Sequence, residues 1–308
     1  MDKNWNTLET KPEIVVIGAA VIDTLVRPAE PDVFETGSFS AENISMSPGA
    51  DALNEATILA KLGKKVRLET VIGDDEAGRY LLEHCERCGI EVPEDAVREE
   101  YVTGINVVLV RADGARSFLT NANGTLRKLL LSDIHIPFPD SAKIISFASI
   151  FVFPHIGPEE LRILFSQAKS QGKIVCADMT KRKNGETTAE LRPALPYVDY
   201  LLPNDEEALL LTGRKTVEDA AAELERAGAA HVVIKAGSRG CYVKDGTHNI
   251  WLPAEKGVEC LDTTGAGDSF AAGFIYALSE GRDILACAEY ANNCGAKAIQ
   301  VIGAVKWL

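Results

Sequence analysis

Residues 262–281 read DTTGAGDSFAAGFIYALSEG. Asp262 opens a loop, Gly265, Ala266 and Gly267 let the backbone turn tightly, and the apolar spacing over 268–278 predicts an amphipathic helix. A glycine loop that runs straight into a helix converges several backbone N–H groups at the positive end of the helix dipole. That arrangement is an anion hole. It can hold the charge of a transferring phosphoryl group on backbone alone, which matters because no GxxxxGK[ST] loop occurs in the chain.

The helix belongs to a larger alternation. Short apolar runs at 14–17, 66–72, 144–147, 174–177, 200–202 and 232–234 read as buried strands, and helical periodicity separates them at 51–62, 76–88, 158–171, 205–211 and 217–227. The fold class this predicts is α/β, with a mostly parallel central sheet flanked by helices. A different texture interrupts it. NISMS at 43–47 and the stretches YVTGINVVLVRA and ARSFLT within 101–120 alternate polar and apolar residues around an Ala-Asp-Gly turn at 112–114, as a small antiparallel sheet with one wet face would. Segments at about 22–27, 39–48 and 101–121 are therefore expected to form a β-lid. No Pro/Ser-rich linker separates them from their neighbours, so residues 1–308 are expected to form a single domain.

Composition narrows the function. Forty-five Asp and Glu against 32 Lys and Arg give a formal charge of −13, which repels nucleic acid and anionic membranes; the basic run KRK at 181–183 reads as a solvated loop. Seven cysteines, an odd number in a chain this large, fit a reducing cytoplasm, and the lone CxxC at 85–88 lacks a second pair for zinc. The first 13 residues have no apolar stretch to serve as a signal, and the most apolar run, 144–153, stops at Pro154, short of the roughly 20 residues a membrane span needs.

Asp268 sits at the start of the 268–278 helix, where the dipole favours its ionised form and its carboxylate can accept a proton from an attacking hydroxyl. An ordinary N-cap is the plainer reading of an isolated aspartate there. The glycines before it and Asp262 at the head of the loop favour catalysis.

On these residues the chain resembles the ribokinase-like sugar kinases, the PfkB carbohydrate kinases. DTTGAGDSF is similar to their C-terminal signature, and PGADALNEATILAKLGKKVRLETVIG at 48–73 to their N-terminal one, with Asn54, Gly63 and Gly73 at the matching spacing. The resemblance runs from about residue 14 to 303. It implies a three-layer ribokinase-like sandwich and ATP-dependent phosphorylation of a primary hydroxyl of a monosaccharide or sugar derivative. Asp268 would be the base, and the amides of Gly265, Ala266 and Gly267 would stabilise the moving phosphoryl group. Asp23 and Asn54, with the backbone of Gly49 and Ala50, would hold the acceptor.

For the nucleotide, LPNDEEA implies Asn204 and Glu207 near the phosphates and Mg²⁺, although an acidic helix start explains them equally. KAGSRG implies a turn that cradles ATP with Lys235, Gly237, Ser238 and Gly240, although a plain hairpin turn reads the same way. Asn292, or Asn293 beside it, would touch adenine. Asp262, Thr264 and Gly303 stand where many relatives bind K⁺ through carbonyls, and lid sheets that pair between subunits in relatives make a homodimer an expectation.

The chain departs from the family pattern at three places. Ala50 replaces the second of two adjacent glycines, Asp51 brings a charge beside the acceptor, and SFASIF lacks the carboxylate many relatives carry in that strand. These leave the acceptor open between a sugar and, as the alternative, a nucleoside; basic residues such as Arg182 would meet an acidic sugar or simply face solvent. A dinucleotide oxidoreductase is disfavoured because GAAVID, not GxGxxG, follows the first strand. A non-catalytic sugar sensor is disfavoured by the intact Asp268 and glycine loop.

Overall fold

Strand β1 (Ile14–Ile17) is apolar at every position because the sheet is covered on both faces: Val15 and Ile17 enter one core, Ile14 and Val16 the other. The computed structural model describes residues 11–31, 33–112 and 116–308; residues 1–10, where no signal segment was expected, and the expected turn at Asp113 and Gly114 lie outside the described residues. After β1 the chain forms β2 (Val21–Arg27), β3 (Asn43–Gly49), β4 (Val66–Glu69), β5 (Ile72–Gly73), β6 (Ile90–Glu91), β7 (Val97–Arg98), β8 (Ile105–Val110) and β9 (Arg116–Thr120). It continues with β10 (Ile144–Ile150), β11 (Ile174–Met179), β12 (Tyr200–Leu201), β13 (His231–Lys235), β14 (Cys241–Lys244) and β15 (Asn249–Leu252). The helices are α1 (Val33–Thr36), α2 (Asp51–Lys61), α3 (Glu76–Cys88), α4 (Pro158–Ser170), α5 (Thr188–Leu191), α6 (Asp205–Thr212), α7 (Val217–Arg226), α8 (Ala266–Ser279) and α9 (Ile284–Ala298).

The main sheet runs β15-β14-β13-β12-β11-β10-β1-β4-β6. From β13 to β6 every pairing is parallel, and β14 and β15 add an antiparallel edge. Helices α4 to α7 pack on the face of Val15 and Ile17, while α2, α3, α8 and α9 pack on the other. Beside this sandwich stands a small sheet ordered β3-β2-β8-β9, antiparallel in its two outer ladders and parallel between β2 and β8. The parallel middle pair arises because β2 and β8 both leave the main body in the same direction, and one long excursion separates them.

Several elements differ from their sequence reading. The run at 66–72 is broken: β4 ends at Glu69, and β5 turns away to pair with β7. Helix α9 was not read from the sequence: its buried residues Ile284, Cys287, Ala288, Ala291, Cys294 and Ala298 recur at helical spacing, but most are alanine or cysteine and contrast weakly with their neighbours. Those small residues let α8 come close, and a Cβ on Gly273 would sit 2.7 Å from Cys294 Sγ. Among the described residues no helix is long and apolar enough to cross a membrane.

Candidate active site

The chain order around β1 places an opening. From β1 the sheet is built outward through β4 on one side and β10 on the other, and ligands of open parallel sheets bind beyond the carboxyl ends of strands at such a reversal. Two cavities lie there. The larger, about 690 Å³, extends over β11 and β13 to α9. The smaller, about 360 Å³, lies beneath the lid. Asp51, Ser149, Thr263 and Asp268 line both, so the carboxylate of Asp268 stands where they meet.

Helix α8 begins at Gly265, whose φ of 72° is left-handed and whose Cβ, if present, would lie 2.5 Å from that of Ala304. Glycine is required there twice over. Among the described residues the amides of Gly265 and Gly267 have no protein acceptor, while that of Ala266 donates to the Thr263 carbonyl at 3.3 Å. A Cβ at Gly267 would meet only Lys235 Nζ at 3.8 Å, so the space beside that glycine is open. Asn54 Nδ2 donates to Asp268 Oδ2 at 2.7 Å. Burial first, then the neighbouring Asp51, pushes Asp268 up to about 8 against the pull of Asn54 and Lys235. A carboxyl tuned this far toward neutrality is suited to take a proton near physiological pH.

The smaller cavity draws its polar groups from the lid by strand register. Asp23 in β2 stands opposite Ser47 in β3 and Asn106 in β8, and Asn106 Nδ2 donates to Asp23 Oδ1 at 3.0 Å. Gly49 lies so near that a Cβ there would be 2.0 Å from Asp23 Oδ2. Burial raises Asp23 above the ordinary aspartate range, less the effect of the Asn106 bond and with a further push from Asp51. Ala50 adopts φ 76° and ψ 153°, a region that glycine populates and side chains resist. The strand without a carboxylate, SFASIF, supplies hydroxyls: Ser149 donates to Asp51, and Ser146 Oγ to Glu55 Oε2 at 2.9 Å. Helix α2 thus delivers the acidic groups that β10 lacks.

In the larger cavity Lys235, at the end of β13, pairs with Asp178, at the end of β11. Burial works against the lysine's charge, but Asp178 and Glu207 hold its affinity for the proton above the ordinary range. Burial lifts Asp178 to about 6 and Glu207 to about 7, with Lys235 pulling both down. Asn204 and Glu207 form a reciprocal cap on α6, at 2.9 and 2.8 Å, so the plainer reading of that motif is realised while both side chains line the cavity. Gly237, Ser238 and Gly240 line it too, and a Cβ at Gly240 would strike the Leu252 carbonyl oxygen at 2.0 Å. Of the adjacent asparagines, Asn292 lines the cavity and Asn293 is turned to Glu255 at 2.8 Å.

Asp262, Thr264 and Gly303 meet through the Asp262 carboxylate. It accepts the Thr264 amide and hydroxyl at 2.9 and 2.7 Å and the Gly303 amide at 3.0 Å, and it pairs with Arg116 from β9. Burial opposes its charge, but these donors hold it below the usual carboxylate range. Arg182 lies away from both cavities and donates to the carbonyls of Gly185 and Glu186.

Four residues of the site were not singled out in the sequence: Asn106, Arg116, Ser149 and Asp178. Asp178 had a signal, an aspartate closing a buried parallel strand. The other three reach the cavities only through strand pairing and lid placement.

The geometry has parallels among known proteins. The ribokinase of Arabidopsis thaliana is 28% identical over 305 residues, covering 96% of this chain and 78% of that protein, and its structure with ribose and ATP superposes with a TM-score of 0.78, 26% identity and coverage of 96% and 95%. The cytidine kinase of Thermococcus kodakarensis is 31% identical over 282 residues, 89% of this chain and 91% of that one. The ribokinase structure from Thermotoga maritima gives a TM-score of 0.80 at 25% identity, covering 96% of each chain. The family model of the pfkB carbohydrate kinases matches residues 11–307, and the chain belongs to that family of phosphotransferases acting on alcohol groups.

Proposed function

We propose that this kinase transfers the terminal phosphoryl group of ATP to a primary hydroxyl of a monosaccharide or sugar derivative, with Asp268 as base. The observation that carries this reading is the position of Asp268 at the junction of two cavities of unequal size, beside two amides without protein acceptors. An acceptor in the smaller cavity would be held by Asp23, Asn54, Asp51 and the backbone of Gly49 and Ala50. Its hydroxyl would give a proton to Asp268 as the oxygen bonds to phosphorus and the bridging oxygen departs with ADP. Gly265, Ala266 and Gly267 would present amides to the transferring group, and Lys235 would add positive charge. The Ala266 amide must first leave the Thr263 carbonyl. On the nucleotide side, Asn204, Glu207, Gly237, Ser238, Gly240 and Asn292 would form the walls.

Magnesium fits this site. Asp51, Asp178, Asp205, Glu206, Glu207, Glu255 and Asp268 line the larger cavity against Lys235 alone, an imbalance that would repel a polyphosphate. Among the described residues no group of three acidic, His or Cys side chains could hold a metal, in keeping with an ion bound by one or two carboxylates and the phosphates. Glu207 is our candidate ligand, and the ion when bound would neutralise the phosphate oxygens. The carboxylate of Asp262 is taken up by Thr264, Gly303 and the cationic Arg116, so a potassium ion there would be held by the backbone carbonyls of Asp262, Thr264 and Gly303. No step is assigned to it.

A nucleoside remains the second acceptor reading, because Phe118, Leu126 and Val152 give the smaller cavity an apolar wall that a base could use. ADP release from a panel of free sugars and nucleosides separates the two: turnover of nucleosides but no sugar rejects the first. In Asp268→Asn, turnover should fall ~100-fold or more while both ligands still bind. Near-normal turnover would reject Asp268 as base.

Residues 1–308 act as one kinase unit, with the lid at about 22–27, 39–48 and 101–121. Seven unpaired cysteines suit the cytoplasm. A second copy of the chain covers the outer face of the lid, where Ile44, Met46 and Leu119 are 66%, 55% and 56% exposed.

A further inference from the structure

Residues 303–308 touch the glycine loop and the first turn of α8 at three separate points. The Gly303 amide donates to Asp262 Oδ2 at 3.0 Å. Ala304 packs against Gly265, within 2.6 Å of where a Cβ on that glycine would stand. Trp307 Nε1 donates at 3.0 Å to the hydroxyl of Ser269, which is fully buried and follows Asp268 directly. Ser269 in turn donates its amide to the Gly265 carbonyl at 2.8 Å. The segment is itself anchored: Lys61 Nζ donates to the carbonyls of Val305 and Leu308 at 2.9 and 3.2 Å, and Val305 and Trp307 pack on the core shared by α2 and α8.

None of these six residues lines either cavity. Any influence on the reaction must pass through the loop they grip. Backbone donors stabilise developing charge only if their direction is fixed beforehand, and the loop contains two glycines whose own preferences fix little.

We propose that residues 303–308 form a clamp that holds the anion hole in its working shape, with Trp307 as the positioning residue for Gly265 and Asp268 through Ser269. This rests on the kinase reading above. The test uses Trp307→Phe, which keeps an aromatic ring in the core and loses the N–H donor with the second ring of the indole, Ser269→Ala, and the double variant. Each single change should lower kcat about 3- to 10-fold, the scale of one net hydrogen bond, and leave KM for ATP and acceptor within about twofold. The double variant should be no slower than the slower single, because both remove one bond. Hydrogen exchange over 262–268 should quicken in Trp307→Phe.

A kcat within twofold of wild type in both singles would overturn the clamp, as would multiplied losses in the double. So would a rise in KM with kcat unchanged, which is the mark of a merely structural role. If the wild-type protein phosphorylates no sugar or nucleoside, the kinase reading fails by itself; exchange at 262–268 then decides the clamp, and an unchanged rate rejects it.

Discussion

Asp268 has to be a carboxylate to accept a proton, yet its surroundings favour the acid. Burial and Asp51 push it from 3.8 up to about 8. Activity in kcat/KM should therefore rise with pH through an apparent value near 8. Asp51→Asn removes a like charge, so that rise should move to lower pH; an unmoved profile would reject Asp51 as the tuning group. The same shift bears on stability. A carboxyl whose folded value lies above its unfolded one holds its proton more tightly in the folded state, so its contribution is present below about 4, is lost as pH rises toward about 8, and is flat beyond. Asp268→Asn should flatten that slope in urea melts across the same window. Asp268 was legible because its whole context lies in nine consecutive residues. Asn106 was not, because its meaning comes from Asp23, 83 positions away across a strand pair.

At the scale of elements, three helices bring their first turns to the cavities, and two of them, α2 and α8, have no side-chain cap. Helices α3, α6, α7 and α9 are capped by Asp75, Asn204, Thr216 and Asp283, whereas α2 and α8 start from Ala50 and Gly265 with no such bond. Uncapped first-turn amides are free for a ligand. The start of α2 carries strain as well, since Ala50 holds φ 76°. Ala50→Gly should relieve about 1 kcal/mol net, strain of about 1–3 kcal/mol being partly offset by the freedom glycine gains when unfolded. Urea unfolding measures it, and a variant less stable than wild type would show that the φ value costs nothing. The sequence marked Ala50 as the position where relatives carry glycine, so the substitution was legible and its backbone angle was not. Helix α9 shows the opposite limit: close packing against α8 demanded small buried residues, whose spacing is helical but whose weak contrast with their exposed neighbours hides it.

Across the whole molecule, the lid serves two surfaces with one set of strands. Asp23, Asn106, Phe118 and Arg116 share the face over the smaller cavity, because side chains alternate and β2, β8 and β9 are in fixed register. The same register sends Val26 opposite Ile44 and Leu109, Thr24 opposite Met46 and Val107, and Val107 opposite Leu119, all on the other face. An apolar patch this continuous calls for cover, and a second lid would supply it. Leu119→Glu should convert a dimer to a monomer in light scattering, with unchanged circular dichroism. If the partner lid braces these strands, the monomer should lose its grip on the acceptor: KM for the acceptor should rise several-fold more than KM for ATP, because Asp23 and Asn106 ride on the strands that have lost support. A wild-type protein that is monomeric at micromolar concentration would remove the dimer from the account. A dimer-to-monomer change with both KM values unmoved would keep the dimer and show that each lid holds its acceptor alone.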